Sequence, residues 1–385
     1  MKKSLRIALF TYSTKPRGGV IHTLELAEAL TRLGQEVCVY ALDKDKLGFH
    51  RPIDCFSKLV PTKPVTQSID ELIEQRIQEF VDYLAIEKEP YDIYHSQDCI
   101  SANALKILRD KRIIKNFIRT VHHIDEFNSS YLQQCHDRSI VEPDLCLCVS
   151  HYWQQQLQQR YEVTAPIVIN GIDLQKFSRR ASGLEQELKQ RLGITGNPVY
   201  LSIAGIEPRK NSLKLLEAFY KVLKICPQAQ LIIAGGDTLF DYKPYRMKFF
   251  QLVEEYNICL KKSLILPGVI ADKELSILYR CVDAFVFPSI KEGWGLVLLE
   301  AIASGLPVVT SNIPPFTEFL TKEFAFLVNP NSSQEISQAM LKIIEQNVSQ
   351  KLIDNSSHIP SKYSWQESAK LHLKHYLTLI QKLEN

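Results

Sequence analysis

Long apolar runs are missing from this chain. No stretch reaches the roughly eighteen residues that a bilayer-spanning helix needs, which excludes an integral helical membrane protein. Charge of one sign is missing as well. Forty-six Lys and Arg stand against 43 Asp and Glu, the net charge of +3 is slight, and no block of five or six like charges occurs, so nucleic acid is not an expected partner. The nine cysteines contain one C-x-C, Cys146 and Cys148 in an apolar strand-like run, but no C-x2-C pair. They read as reduced, buried thiols of a cytosolic protein, with zinc a remote alternative. Met1-Lys2-Lys3 is basic, but Arg6 interrupts the apolar run behind it and no small-residue cleavage site follows, so a signal peptide is not expected. Repeats and low-complexity tracts are absent too.

What is present is enough for two cores: 385 residues, 45% hydrophobic and 23% charged. Apolar runs alternate with helical patterns. The first half reads as strand Leu5 to Tyr12, helix Val20 to Leu33, strand Glu36 to Leu42, helix Ile69 to Ile86, strand Asp92 to His95, helix Ser101 to Leu108, strands Phe117 to Val121 and Leu145 to Val149, and helix Trp153 to Gln159. The polar stretch Ser178 to Glu187 is a natural boundary. The alternation then restarts with strand Val199 to Ala204, helix Leu213 to Cys226, strand Gln230 to Ala234, helix Arg246 to Tyr256, strand Leu264 to Pro267 and helix Asp272 to Cys281. Trp365 to Leu383 is a last helix, with Trp365, Ala369, Leu371, Leu373, Tyr376 and Ile380 available for packing. Such alternation predicts parallel sheets covered on both faces.

One unit carries more chemistry than the rest: strand Ala284 to Phe287, the loop Pro288 to Gly295, a helix through Leu306, and strand Val308 to Thr310. Glu292 falls in the loop and Glu300 in the helix, so the two carboxylates do not share a helical face and do different jobs. Gly293 and Gly295 flank the helix start, where unpaired backbone N–H groups and the positive end of the dipole suit a phosphate. Elsewhere, Arg209 and Lys210 in the loop Gly205 to Asn211 can neutralise phosphate oxygens. His95, Asp98 and His122 stand at strand ends, where parallel sheets open their ligand crevice. A dinucleotide reading of Arg17-Gly18-Gly19, with Asp43 at the next strand end, fails because G-x-G-x-x-G needs a third glycine.

Glu292 and Glu300, within F-P-S-I-K-E-G-W-G-L-V-L-L-E-A-I-A-S-G-L-P-V-V, resemble the E-x7-E signature of the retaining GT-B glycosyltransferases of family 4 (glycosyl transferases group 1). Further strings are similar to family sequence: Thr120-Val121-His122, Val168 to Phe177, Leu231 to Asp237, Leu266 to Val269, and Pro314 to Phe319. The resemblance implies an α/β GT-B fold of two Rossmann-like doubly wound domains facing a cleft: an acceptor domain over residues 1–177, joined by the C-terminal helix 366–385, and a donor domain over 178–365. It implies that Glu292 and His122 approach the donor sugar and that Lys210 and Arg209 hold the diphosphate. Gly18, Gly19, Gly205, Val269, Gly293, Trp294, Gly295, Leu296 and Val297 would line the nucleotide-sugar site, with Glu300 accepting from the ribose hydroxyls. The usual family pattern is closer to G-R-L-x-x-x-K-G, so Arg209 departs from it.

The activity so implied is metal-independent, retaining transfer of a hexosyl unit from a UDP- or GDP-linked sugar to a sugar, lipid or small-molecule acceptor. No resident cofactor is expected, and no D-x-D string stands in a loop suited to a donor metal. Lys2, Lys3 and Arg6 lend only weak support to peripheral contact with the inner face of a membrane. A GT-B epimerase, a nucleotide-sugar-binding protein without catalysis and a dehydrogenase are the competing classes; the last lacks its glycine fingerprint.

Overall fold

Two parallel six-stranded sheets carry the architecture, one in each of two units: Met1–Gly171 with Tyr363–Asn385, and Ile172–Lys362. The computed structural model describes residues 4–64, 68–87, 90–236 and 242–384. Lys2, Lys3 and Asp237 lie outside the described residues.

The first unit runs β1 (Arg6–Thr11), α1 (Gly18–Arg32), β2 (Glu36–Asp43), β3 (Phe56–Pro61), α2 (Ile69–Ala85), β4 (Ile93–Ser96), α3 (Cys99–Asp110), β5 (Ile118–Val121), α4 (Ser130–Val141), β6 (Leu145–Cys148) and α5 (His151–Tyr161). Its strand order is β3-β2-β1-β4-β5-β6, with all neighbours parallel. The inner strands are buried on both faces, which is why their sequences are continuous apolar runs and not alternating ones. Four helices start on a side-chain cap: Ser68, Asp98, Ser129 and Ser150 accept from the backbone N–H of Glu71, Ser101, Leu132 and Trp153. Each such cap is worth about 1 kcal/mol.

The second unit repeats the scheme with α6 (Glu185–Leu192), β7 (Val199–Ile203), α7 (Ser212–Leu223), β8 (Gln230–Ala234), α8 (Lys243–Glu255), β9 (Leu264–Gly268), α9 (Asp272–Tyr279), β10 (Ala284–Phe287), α10 (Leu296–Ala303), β11 (Val308–Ser311), β12 (Phe326–Val328), α11 (Ser333–Ile343) and α12 (Gln346–Ser356). Its order is β12-β11-β10-β7-β8-β9, again all parallel. Tyr200, Phe219, Phe249 and Met340 are fully buried at the centre of its core.

The chain then returns to the first unit as α13 (Trp365–Glu384). Its buried face is Trp365, Ala369, His372, Tyr376 and Leu379, so His372 and Leu379 take the places expected for Leu371, Leu373 and Ile380. Gly171 allows the start of this helix to come close, because a Cβ there would stand 2.2 Å from the Trp365 backbone nitrogen.

Candidate active site

In the second unit, β7 and β10 are neighbours, so the loops after them are brought together. Pro208–Lys210 forms one 3-10 turn, and Asn211 follows it in the left-handed region at φ 61°. The Asn211 side chain donates to the carbonyls of Pro288 (3.0 Å) and Pro330 (2.7 Å), and the Ile290 N–H donates to the Arg209 carbonyl at 2.9 Å. These bonds fix the two loops to each other without any help from a ligand.

On that frame Glu292 receives the Lys210 ammonium and, at 3.1 Å, the Arg209 guanidinium, both on Oε1. Ser289 Oγ lies 2.8 Å from the same oxygen, and Arg209 also meets buried Glu207 at 3.2 Å. Burial alone would push the Glu292 carboxyl up, but Lys210, Arg209 and Ser289 outweigh it and hold it below its ordinary value. Burial, then Arg209, pulls the Lys210 ammonium down. Two carboxylates and two cations thus make a closed charge network at the strand ends.

Directly after Glu292 the chain passes Gly293 and Trp294 to Gly295, which precedes α10 at φ 106°. A Cβ on Gly295 would meet Phe316 at 2.8 Å, so the turn needs glycine twice over. No side chain caps α10 and no acid lies in its first turn, which leaves Leu296 and Val297 at a helix end suited to an anion. Trp294 is buried and stacks on Phe319 at 5.0 Å, so it supports the loop from behind. Glu300, one turn on, accepts from the Tyr279 hydroxyl at 2.8 Å. Gly205 follows β7, and Val269, half exposed, follows β9.

In the first unit the strand-end residues are histidines. His122, just past β5, puts Nε2 3.0 Å from Gln97 Oε1, and its ring meets that of His22 at 4.8 Å. Gln97 Nε2 lies 3.2 Å from His95 Nε2, and His95 Nδ1 lies 2.7 Å from the Tyr376 hydroxyl on α13. His22 bonds Asn170 at 2.7 Å. Burial lowers every one of these rings: His22 to about 4 and His372 to about 3, with His95 and His122 well below the ordinary value. The cluster is neutral imidazole. Gly19, in the first turn of α1, faces His122, since a Cβ there would stand 3.9 Å from its Cδ2, while Gly18 faces open space.

The structure sorts the strand-end residues read from sequence. His95 is a core residue tied to Thr120, Gln97 and Tyr376, and Asp98 caps α3. His123 pairs with Asp125 at 3.0 Å. Asp43-Lys44-Asp45 does have D-x-D spacing, but Asp43 is buried and accepts from the Gly48 N–H while Asp45 pairs with Lys15. Among the described residues no group of three His, Cys, Asp or Glu is placed to hold a metal ion, and no helix is long and apolar enough to cross a membrane. Sequence reasoning missed Glu207, Gln97 and Tyr279. Only Tyr279 carried a signal, an aromatic hydroxyl in the last turn of a helix otherwise read as core.

Comparison with known proteins agrees with this fold. The pattern of Glycosyl transferases group 1 matches residues 185–358, and that of Glycosyltransferase Family 4 matches residues 16–176. An alpha-monoglucosyldiacylglycerol synthase of Streptococcus pneumoniae is 28% identical over 333 residues, covering 80% of this chain and 72% of the relative. Among solved structures, sucrose-phosphate synthase from Thermosynechococcus elongatus superposes with a TM-score of 0.80 at 21% identity, covering 98% of this chain and 100% of that one. Anabaena HepE in complex with UDP and glucose gives a TM-score of 0.77 at 19% identity, covering 97% and 99%. The chain belongs to the group 1, family 4 glycosyltransferases and is a glycosyltransferase of the GT-B fold.

Proposed function

We propose that this glycosyltransferase takes a hexosyl unit from a UDP- or GDP-linked sugar and transfers it with retention of configuration, using side-chain cations and a helix end where other enzymes use a divalent ion. The observation that carries the reading is the network in which Lys210 and Arg209 converge on Glu292, immediately before Gly293 to Gly295 and the uncapped α10. In this reading the second unit is the donor domain. The diphosphate lies against the α10 amino end, Lys210 and Arg209 neutralise it, Glu292 faces the sugar and Glu300 takes the ribose hydroxyls. The first unit is the acceptor domain, and His122, Gly18 and Gly19 are its residues assigned to ligand binding. A bound UDP and glucose in the HepE structure supports the donor class. The relative named as a monoglucosyldiacylglycerol synthase supports a lipid among the candidate acceptors, and nine free cysteines support a reducing, cytoplasmic setting.

Chemically, the bond from the anomeric carbon to the diphosphate breaks through an oxocarbenium-like transition state, and the leaving group gains charge that Lys210, Arg209 and the α10 amides stabilise. The acceptor hydroxyl attacks on the face that the diphosphate leaves. Its proton passes to a phosphate oxygen.

The test is a panel of UDP- and GDP-sugars, with and without EDTA, read by release of nucleotide diphosphate and by NMR of the product's anomeric centre. Slow release without acceptor and a retained anomer are expected, unchanged by EDTA. An inverted anomer would overturn the front-face mechanism, and loss of release in EDTA would overturn metal independence.

A further inference from the structure

We propose that Lys44, Arg17 and Lys15, gathered around Tyr12 at the carboxyl ends of β1 and β2, bind a phosphate group carried by the acceptor. This inference rests on the transferase reading above, in which the donor's diphosphate is already neutralised within the second unit by Lys210 and Arg209. A separate concentration of positive charge in the first unit offers a place to a different anion.

The cluster is built from short-range sequence. Thr11 ends β1 and Asp43 ends its parallel neighbour β2, so the residues just beyond each strand meet. Lys44 Nζ lies 5.8 Å from the centre of the Tyr12 ring, the Arg17 guanidinium lies 6.0 Å from the same ring, and Arg17 donates to the Tyr12 hydroxyl at 3.4 Å. Lys15 and Asp45 pair at 3.0 Å on the rim. Asp43, which could have answered Lys44, is instead buried and accepts from the Gly48 N–H at 3.2 Å, closing the turn that presents Lys44.

Lys44 therefore has no hydrogen bond or ion pair of its own among the described residues. Its ammonium is partly withdrawn from water into a cationic neighbourhood. Burial first, then Arg76 of α2, Arg17 and Lys15 lower it from 10.5 to about 8, with Asp45 opposing them. Arg76 is itself engaged by Glu79 and by the Lys63 carbonyl, so it adds field and not a contact. An ammonium held this way costs stability in the empty protein and gains most from a ligand that brings two negative charges. A phosphate monoester is such a ligand, whether it sits on a soluble sugar or polyol or on a lipid headgroup. A neutral sugar is not.

The experiment reads Lys44 in the full chain. Trace acetylation with peptide mass spectrometry gives its reactivity against pH, with UDP and GDP present to fill the donor site and glycerol 3-phosphate as the soluble probe. The probe should protect Lys44 and raise its labelling midpoint from about 8, whereas glycerol should do neither. Lys44→Ala should weaken probe binding about tenfold or more, Lys44→Arg should restore it, and binding to the wild type should fall as pH rises through the Lys44 midpoint. Vesicles of phosphatidic acid, a lipid phosphate monoester, set against phosphatidylcholine form the second arm. Protection by the anionic vesicles alone assigns a headgroup, and protection by the soluble probe assigns a free phosphate ester. Lys44 labelling that ignores both, or that the nucleotides alone protect fully, overturns the proposal. If neither UDP nor GDP binds anywhere, the transferase reading fails separately while Lys44 protection is still read.

Discussion

The two sheets have the same strand order and open their carboxyl ends in the same way, yet one edge collects neutral imidazoles and the other a network of full charges. The difference lies in what each buried base finds next to it. His22, His95, His122 and His372 face one another, Asn170, Gln97 and Tyr376, with no carboxylate among these partners, so burial strips their protons. Lys210 and Arg209 face Glu292 and Glu207, and the paired charges persist in a setting that is partly open, the Arg209 side chain keeping 33% of its surface. The fold supplies a place at the strand ends, and the partner decides whether that place is acidic, basic or neutral.

Acid should break this symmetry first, and with the largest effect. His22 and His136 sit at about 4 and His372 at about 3, all in the first unit, whereas His358 is the one histidine of the second unit and is exposed. The folded values lie below the unfolded value near 6.5. The unfolded chain therefore binds more protons between about 6.5 and 4, and stability drops as pH falls through that window. By pH 5 the loss is on the order of 2 kcal/mol per ring. Hydrogen exchange by mass spectrometry between pH 7.5 and 5 should show the first unit and α13 losing protection while β7 to β10 keep theirs. Equal loss in both units would end the comparison.

Next in size is Lys210→Ala. If the charged edge serves the leaving diphosphate, removing its best-placed cation should lower kcat about 10²- to 10³-fold, and Arg209→Ala, whose guanidinium is shared with Glu207, should cost less. The pairing with Glu292 also has a structural side, because a buried carboxylate left with one cation is destabilising by about 3 kcal/mol or more. Lys210→Met keeps the stem over the Phe287 ring, 4.7 Å from the ammonium in the wild type, and separates the two effects when turnover and melting temperature are measured together. Full turnover in both variants would remove Lys210 from the chemistry.

How much of this could be read from sequence differs between the two edges in the same way. The E-x7-E unit was legible because its strand, glycines and helix are contiguous, and short-range chemistry sets the turn at Gly295. Both sheets were legible from apolar runs, but β3 was not, since its edge position leaves Phe56 80% exposed and its pattern inverted. Helix α4 hides its period because its buried side includes Cys135, His136 and Ser139. Short β12 and the helices α11 and α12 lie in a tail whose small buried sets give little signal. The histidine cluster was the least legible. His22, Gln97 and His372 come from three distant segments, and only the return of α13 makes them one group.

The smallest effect should come from Tyr279, and it sharpens the comparison because it tests a neutral group that serves a charged one. Its ring packs against those of Phe177 and Phe285, and its hydroxyl donates to Glu300 at 2.8 Å and to the Val297 carbonyl at 3.3 Å. Burial, then Glu300, raises the phenol well above its ordinary value, so it stays a donor at any working pH. Tyr279→Phe keeps the ring and removes one hydrogen bond from the carboxylate, worth about 1 kcal/mol, or roughly a fivefold weaker donor. If Glu300 takes the donor ribose as proposed, the ribose is held alike in ground and transition states, and the change should appear in KM and leave kcat nearly unmoved. A nucleoside diphosphate lacking both ribose hydroxyls should bind wild type and Tyr279→Phe equally, because there is nothing for an aligned Glu300 to hold. If the variant weakens the deoxy ligand as much as the ribo ligand, Tyr279 only packs the core, and the charged edge orders Glu300 without it.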